Sequence, residues 1–274
     1  MKIATVSLDH VWEDKKANMV LCEKFIRESS NSSADMVIFP EMTLTGFSPS
    51  NTLIIENIHN SQTLEWFGRI SKKYNINIIF GVLLKEKGKN LPFNMLCIAD
   101  KSGVAIPLYA KTHLFSYACE DQYLIAGNKV VTYKIEGMVF GFAICYDLRF
   151  PELFSTMASS CDAIIIIANW PSSRVDHWNT LLRARAIENE CIIFGVNRTG
   201  IDGNQINYNE SSVMIMPDGS AETANFTSSD LSIYEINKYQ VEEYRNSFPM
   251  IKDKRYCLYE NILRENNKIN SNEL

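Results

Sequence analysis

No apolar run in the 274-residue chain approaches the ~20 residues that a membrane-spanning helix needs, so the sequence offers no transmembrane segment. A signal-peptide apolar core is also missing: Met1-Lys2-Ile3-Ala4-Thr5-Val6 leads straight into an alternating strand pattern. A cytoplasmic protein is expected, and the Asn-X-Ser/Thr triplets at Asn31, Asn209 and Asn225 are then chance matches, because glycosylation needs the secretory route. Basic charge is not in excess. With 27 Lys plus Arg against 32 Asp plus Glu, the net charge is -5, and the clustered cations that bind phosphate backbones are absent. This excludes nucleic acid and leaves small molecules as partners. The seven cysteines, at positions 22, 97, 119, 145, 161, 191 and 257, have neither the paired spacing of a disulfide frame nor that of a zinc site. They are expected to be reduced and mostly buried, with no metal implied. No Pro/Gly/Ser-rich linker, composition shift or usable repeat divides the chain, so one domain is expected over residues 1–265, followed by a polar C-terminal tail at 266–274.

What is present is apolar content of 46%, enough for a substantial core. Strand patterns run from Ile3 to Leu8, Met36 to Phe39, Ile76 to Leu84, Val139 to Ile144, Ala163 to Ala168, Cys191 to Val196 and Ser212 to Met216. Between them, Ala17, Val20, Leu21 and Phe25 mark one helix, and Trp178, Leu181, Leu182 and Ala186 share a face on another. The class is α/β. Periodicity taken alone suggests a doubly wound parallel sheet.

Three short segments carry chemistry: Phe39-Pro40-Glu41-Met42, Tyr109-Ala110-Lys111-Thr112-His113-Leu114-Phe115, and Ile144-Cys145-Tyr146-Asp147-Leu148-Arg149-Phe150-Pro151-Glu152. They supply a carboxylate, an ammonium and a thiol at the ends of apolar runs, which are the parts of a thiolate nucleophile with its own base and its own electrostatic clamp. Taken singly, a Cys after an apolar run is more often a buried small hydrophobe, and Cys22, Cys97, Cys161 and Cys191 are read that way. Cys145 differs because Tyr146, Asp147 and Arg149 follow it, which suits a strand-to-helix turn with an exposed thiol. A free thiol has a pKa near 8.5, so help is needed at neutral pH. Lys111 would favour the thiolate by opposite charge, and Glu41 would take its proton.

In order and with these flanks, Glu41, Lys111 and Cys145 resemble the Glu-Lys-Cys triad of the nitrilase superfamily of carbon-nitrogen hydrolases. The likeness runs from the first strand to about Arg255. It implies a four-layer α-β-β-α sandwich, built into homodimers or larger assemblies, and acyl transfer through a thioester. The oxyanion would be held by Lys111 and the Tyr146 N–H, without any cofactor. Glu120 matches a second glutamate that members place near the triad, against the alternative of a surface loop carboxylate. His113 is expected to share a strand face with Lys111 and to be a neutral, hydrogen-bonded structural residue. Asp147 and Arg149 are expected either to pair and fix the turn or to leave Arg149 for a substrate carboxylate.

For the substrate, Asn169-Trp170-Pro171 with His177-Trp178 behind it resembles the bacterial omega-amidase branch, as do Tyr123 through Asn128 and Tyr244 through Pro249. Those enzymes hydrolyse the terminal amide of 2-oxo acids such as 2-oxoglutaramate. A pocket walled by Phe47, Tyr117 and Trp170 and tipped by Arg149 or Arg174 would fit such a substrate, while Arg183 and Arg185 are expected to pin helix and subunit contacts. Alternatives are an amidase acting on deaminated glutathione or N-carbamoyl compounds, or a binding module without catalysis on the same scaffold. One departure stands out. Tyr208-Asn209-Glu210-Ser211-Ser212 has Glu210 where relatives carry a glycine, and a positive φ there would be costly for Glu.

Overall fold

Alternation at two-residue spacing sorts the first strands into two faces. Ile3, Met36 and Ile38 enter one buried cluster, while Ala4, Val6, Val37 and Phe39 enter another. The computed structural model describes residues 1–228 and 230–271, with side chains through Glu265. In chain order the strands are β1 (Lys2–Val6), β2 (Met36–Ile38), β3 (Glu56–Asn57), β4 (Asn77–Lys85), β5 (Phe93–Ala99), β6 (Ala105–Ala110), β7 (Thr132–Ile135), β8 (Met138–Ile144), β9 (Ala163–Ala168), β10 (Ile192–Asn197), β11 (Gly200–Ile201), β12 (Asn207–Tyr208), β13 (Val213–Ile215), β14 (Phe226–Thr227) and β15 (Leu231–Glu235). The helices are α1 (Lys15–Asn31), α2 (Gln62–Tyr74), α3 (Glu120–Tyr123), α4 (Pro151–Met157), α5 (Val175–Asn189), α6 (Lys238–Ser247) and α7 (Tyr256–Ser271).

Two sheets result. One runs β14-β15-β1-β2-β4-β5-β6 with β3 beside β4, and the other runs β13-β10-β9-β8-β7. Parallel strands form both centres (β1-β2-β4 and β8-β9-β10), β3 adds parallel to β4, and the other flanking strands are antiparallel. Ile3, Ile79 and Leu96 of the first sheet share a cluster with Phe140, Ile165 and Phe194 of the second, so the sheets pack face to face. Helices cover the outer faces. Phe25 and Ile26 of α1 and Phe67 and Ile70 of α2 pack on the first sheet, and Phe154, Trp178, Leu182 and Ala186 of α4 and α5 on the second. The layering is therefore α-β-β-α, and the single parallel sheet suggested by periodicity is replaced by two mixed ones. The reason is physical: a buried apolar face does not specify whether helices or a second sheet will cover it.

Local signals fix the ends of several elements. Asp14 accepts from the Ala17 N–H at the start of α1, Ser61 accepts from the Leu64 N–H at the start of α2, and Asn75 closes α2 in a left-handed conformation. Strands β5 and β15 and helix α2 were not among the elements expected from the sequence, and β6 was expected only as a strand-like run before Lys111. α7 continues through Ser271, so the boundary expected at residue 265 falls inside a helix, and residues 272–274 of the expected tail lie outside the described residues. Among the described residues no helix is long and apolar enough to cross a membrane.

Strand direction places the chemistry. β2, β4, β8 and β9 run parallel within their sheets, and β6, two antiparallel steps from β4, runs in the same direction as β4. The segments that leave the C-terminal ends of β2, β6, β8 and β9 carry Glu41, Lys111, Cys145 and Asn169.

Candidate active site

Glu41 lies three residues beyond β2 in a turn clamped to β4. The Thr43 N–H donates to the Gly81 carbonyl (2.9 Å), and the Gly81 N–H donates to Thr43 Oγ1 (2.9 Å). A Cβ on Gly81 would come within 2.5 Å of the Met42 nitrogen and 3.0 Å of Glu41 Cα, so only glycine lets the turn sit this close. The Glu41 carboxylate is fully buried. Its Oε1 accepts from Lys111 Nζ (3.0 Å) and Asn94 Nδ2 (2.7 Å), and its Oε2 accepts from the Asn169 N–H (3.0 Å).

Lys111 follows β6 and is also fully buried. Its N–H donates to the Asn94 carbonyl (2.9 Å), and its own carbonyl accepts from the Gly127 N–H (2.8 Å). Gly127 is needed for that approach, since a Cβ would lie 2.2 Å from the Ala110 oxygen. The ammonium donates to Glu41 and to both oxygens of Glu120 (3.0 and 2.9 Å). Burial alone would lower its pKa, but the two carboxylates outweigh that cost and hold it well above the ordinary lysine value. Glu120 is not a surface carboxylate. It is fully buried and also accepts from the Phe115 N–H (2.7 Å).

Cys145 opens a short 3-10 turn, Cys145–Arg149, directly after β8. Its φ of 48° puts a non-glycine residue in the left-handed region, at a cost of about 1–3 kcal/mol that the surrounding structure must offset. The Asp147 carboxylate accepts from the Ile144 N–H (3.0 Å), and buried Arg185 of α5 donates twice to the Leu148 carbonyl (3.1 and 2.8 Å). The residue is half-buried and opens on a cleft, with Sγ 3.9 Å from the Asn169 carbonyl oxygen. Burial pushes the thiol pKa well above its ordinary value, Glu41 and Glu120 push it further, and Lys111 offsets only part of this. Lys111 does pull toward the thiolate by opposite charge, as expected, but its pull does not outweigh burial and the two carboxyl groups. One ammonium is shared between two carboxyl groups, so opposite charge alone does not ready the thiol, and a base must take the proton as it reacts.

The cleft above Cys145 has a volume of about 520 Å³ including its open mouth, and Phe47, Lys111, Tyr146, Arg149, Trp170 and Arg174 all reach it. Phe47 covers Lys111, with the ammonium 5.5 Å from the ring centre. The Arg149 guanidinium lies over Trp170 (4.7 Å) and Tyr146 (6.0 Å), and that of Arg174 lies over Phe115 (5.6 Å). Neither guanidinium pairs with a carboxylate among the described residues.

Several expectations change. Tyr117 is 86% exposed and does not line the cleft, because the turn Ser116–Ala118 directs it outward; Phe115 and Ala118 take that wall. Asp147 does not pair with Arg149: it turns inward to Tyr109 and His113, and Arg149 lies instead 3.3 Å from His177 Nδ1. His113 lies beyond the end of β6, so it shares no strand face with Lys111, and its ring stacks on Phe150 with centres 3.8 Å apart. Glu210 is not among the residues with positive φ, so the loop accommodates it without left-handed strain. Arg183 is exposed, whereas Arg185 is buried against the nucleophile's turn.

Asn94 was not singled out from the sequence, and Asn169 and Tyr208 were read only as members of motifs, with no role of their own in the site. A usable signal existed for Asn94, a lone polar residue at an inward position of the apolar strand Phe93–Ala99. For Tyr208 there was none, since the β11–β12 hairpin brings it to the cleft from a distant part of the chain.

A family model described as carbon-nitrogen hydrolase matches residues 2–246. The chain is similar to a Bacillus subtilis (strain 168) protein named 2-oxoglutaramate amidase, at 31% identity over 94% of this chain and 98% of that protein. It is also similar to a Staphylococcus aureus protein named hydrolase in agr operon, at 32% identity over 94% of this chain and all of that protein (100%). Among solved structures it is similar to XC1258 from Xanthomonas campestris, described as a CN-hydrolase superfamily protein with an arsenic adduct in the active site. The TM-score is 0.84 at 30% identity, covering 93% of this chain and 97% of that one.

Proposed function

The chain belongs to the carbon-nitrogen hydrolase family, and from that premise we propose that it hydrolyses the terminal amide of a small 2-oxo dicarboxylic acid monoamide, such as 2-oxoglutaramate or 2-oxosuccinamate, through a Cys145 thioester. That it is a cysteine-dependent amidohydrolase follows from the family and from relatives named as amidases. The observation that carries the finer reading is the pairing of two features in one cleft. A buried carboxylate-ammonium cluster backs the thiol, and two guanidinia without carboxylate partners stand at the rim.

In this mechanism Glu41 takes the thiol proton as Sγ adds to the amide carbon. Lys111 Nζ and the Tyr146 N–H hold the developing oxyanion. Protonated Glu41 then delivers its proton to the nitrogen, the C–N bond breaks, ammonia leaves and the acyl group remains on sulfur. Glu41 next accepts a proton from water as the water adds to the thioester, and the carboxylate product departs with regeneration of the thiol. Glu120 keeps Lys111 charged and in place throughout. The far carboxylate of the substrate pairs with Arg149, whose guanidinium lies over Trp170, or with Arg174.

The test is ammonia release by wild type and Cys145→Ala on 2-oxoglutaramate, 2-oxosuccinamate, glutamine, an N-carbamoyl amino acid and a simple nitrile. Turnover concentrated on the 2-oxo amides and abolished in the variant is expected. Release that survives Cys145→Ala refutes the nucleophile, and mutant-sensitive turnover of another substrate refutes the substrate assignment.

A further inference from the structure

Lys111 and Cys145 are delivered by different sheets, the first after β6 and the second after β8. Sheet-on-sheet packing here is apolar and non-directional, so by itself it does not hold an ammonium and a thiol to the tolerance that acyl transfer demands. Besides Glu41, which accepts from Lys111 and from the Asn169 N–H, a second buried carboxylate spans the seam beside them. Asp147 Oδ2 accepts from the Ile144 N–H (3.0 Å) and from the Tyr109 hydroxyl (2.8 Å). Its Oδ1 accepts from the His113 N–H (2.8 Å) and lies 2.9 Å from His113 Nδ1. Tyr109 and His113 flank Lys111 two residues to either side, and Ile144 and Asp147 bracket Cys145. The Tyr109 hydroxyl is completed by the Thr112 hydroxyl (2.8 Å) and the Thr112 N–H (3.3 Å), which leaves its proton for Asp147. Asp147 is fully buried, and among the described residues no lysine or arginine pairs with it. Its acceptor capacity is spent on ties to the two catalytic segments.

The geometry points to Asp147, with Tyr109 and His113, as the positioning group that sets the Lys111 ammonium against the Cys145 thiol across the seam between the sheets. None of the three lines the cleft, so they act through Lys111 and Cys145 rather than on substrate. A carboxylate suits the task because it accepts from four directions at once, whereas an amide or hydroxyl would face at least one of these donors with another donor. The inference rests on Cys145 and Lys111 being the reacting groups proposed above.

The experiment compares Tyr109→Phe, His113→Ala and His113→Asn with wild type and Cys145→Ala. Tyr109→Phe removes one hydroxyl and leaves the ring; His113→Ala removes the ring contact and keeps the backbone N–H. For each variant kcat, KM, Tm and the rate of Cys145 alkylation by iodoacetamide are measured, the last by mass spectrometry of the Cys145 peptide because Cys119 and Cys257 are exposed. The first two variants are expected to lose about tenfold in kcat, as for one hydrogen bond to a charged group, with KM within about twofold. Alkylation should slow as Lys111 drifts from the thiol, and His113→Asn, which restores a side-chain donor, should recover most of the kcat. Wild-type kcat and alkylation in Tyr109→Phe and His113→Ala, whatever their Tm, would overturn the inference, as would a rise in KM at constant kcat. The two readings fail separately. An active Cys145→Ala removes the premise, whereas an inert Cys145→Ala beside fully active Tyr109 and His113 variants leaves the premise standing and removes the positioning role.

Discussion

Replacing Glu120 by Gln removes one of the two carboxylates that hold Lys111 while nearly preserving shape. Both carboxylates and the ammonium are fully buried, and Glu120 contacts Nζ with both oxygens at 3.0 and 2.9 Å. At 2.9 Å the gross attraction is about 6 kcal/mol for an effective dielectric of 20. Much of this is not lost, because Lys111 keeps Glu41 at 3.0 Å and is not stranded as a lone buried charge. The new amide can accept on one atom only, and its NH2 must face either the ammonium or the Phe115 N–H, both donors. A net loss of about 3 kcal/mol is expected, at the low end for breaking a buried pair. Spread over a chain of this size, that lowers Tm by about 6 °C. If the same loss is felt in the transition state, kcat falls by about two orders of magnitude. The thiol responds with the opposite sign. Glu120 is one of the groups that push the Cys145 pKa up, so its neutralisation makes the thiolate easier to form and speeds alkylation by iodoacetamide at pH 7. Slower hydrolysis together with faster alkylation is a signature that general loosening does not produce. The assays are ammonia release, differential scanning calorimetry and mass-spectrometric alkylation kinetics. The reasoning is refuted if kcat stays within threefold of wild type, or if alkylation slows.

Gly81→Ala, whose new Cβ would meet the Met42 nitrogen at 2.5 Å and Glu41 Cα at 3.0 Å, should displace the base and cut kcat by at least about tenfold; steady-state kinetics at saturating substrate checks this. For wild type, the raised thiol pKa means the resting enzyme binds the Cys145 proton more tightly than free cysteine does. Its alkylation rate at neutral pH should be below that of a free thiol and still be climbing at pH 9, and a plateau below pH 8 contradicts the assignment. Tyr117→Ala should leave kcat and KM within about twofold of wild type, since the side chain is 86% exposed and off the cleft wall; a large KM increase would place it on the substrate after all. Arg149→Met should raise KM for a 2-oxo acid amide far more than for a neutral amide of the same length, and equal effects on both would remove its pairing with a carboxylate.

Glu41, Lys111 and Cys145 were legible because each sits at the end of an apolar run, where a charged or thiol side chain breaks the pattern. Their flanks carry the rest of the signal, above all Tyr146, Asp147 and Arg149, which follow Cys145 and mark the turn. The fold was legible less evenly. Runs such as Ala163 to Ala168 declare a strand buried on both faces, and the structure begins and ends it at the same residues. β6 (Ala105–Ala110), with its half-buried residues and a proline, shows only as a strand-like run before Lys111, without bounds. Glu120 was ambiguous for a related reason. Its neighbours Tyr117, Cys119 and Asp121 are exposed, and only the short helix α3 turns this one carboxylate inward.

The sequence by itself determined the chemical parts list, the order of the segments and the α/β class, because these depend on residue type and on periodicities of two and 3.6. Tertiary structure decided the charge state of the site. How far Lys111 can act on the thiol depends on how many carboxyl groups share its ammonium, and Glu120 becomes its second partner only because α3 turns this side chain inward to Nζ. Tertiary structure also decided that Asp147 looks inward to Tyr109 and His113 and not to Arg149 two residues away. Coulomb energy and hydrogen bonding fall off over a few ångströms, whereas the strands that carry these groups lie in two sheets whose placement against each other no local pattern encodes.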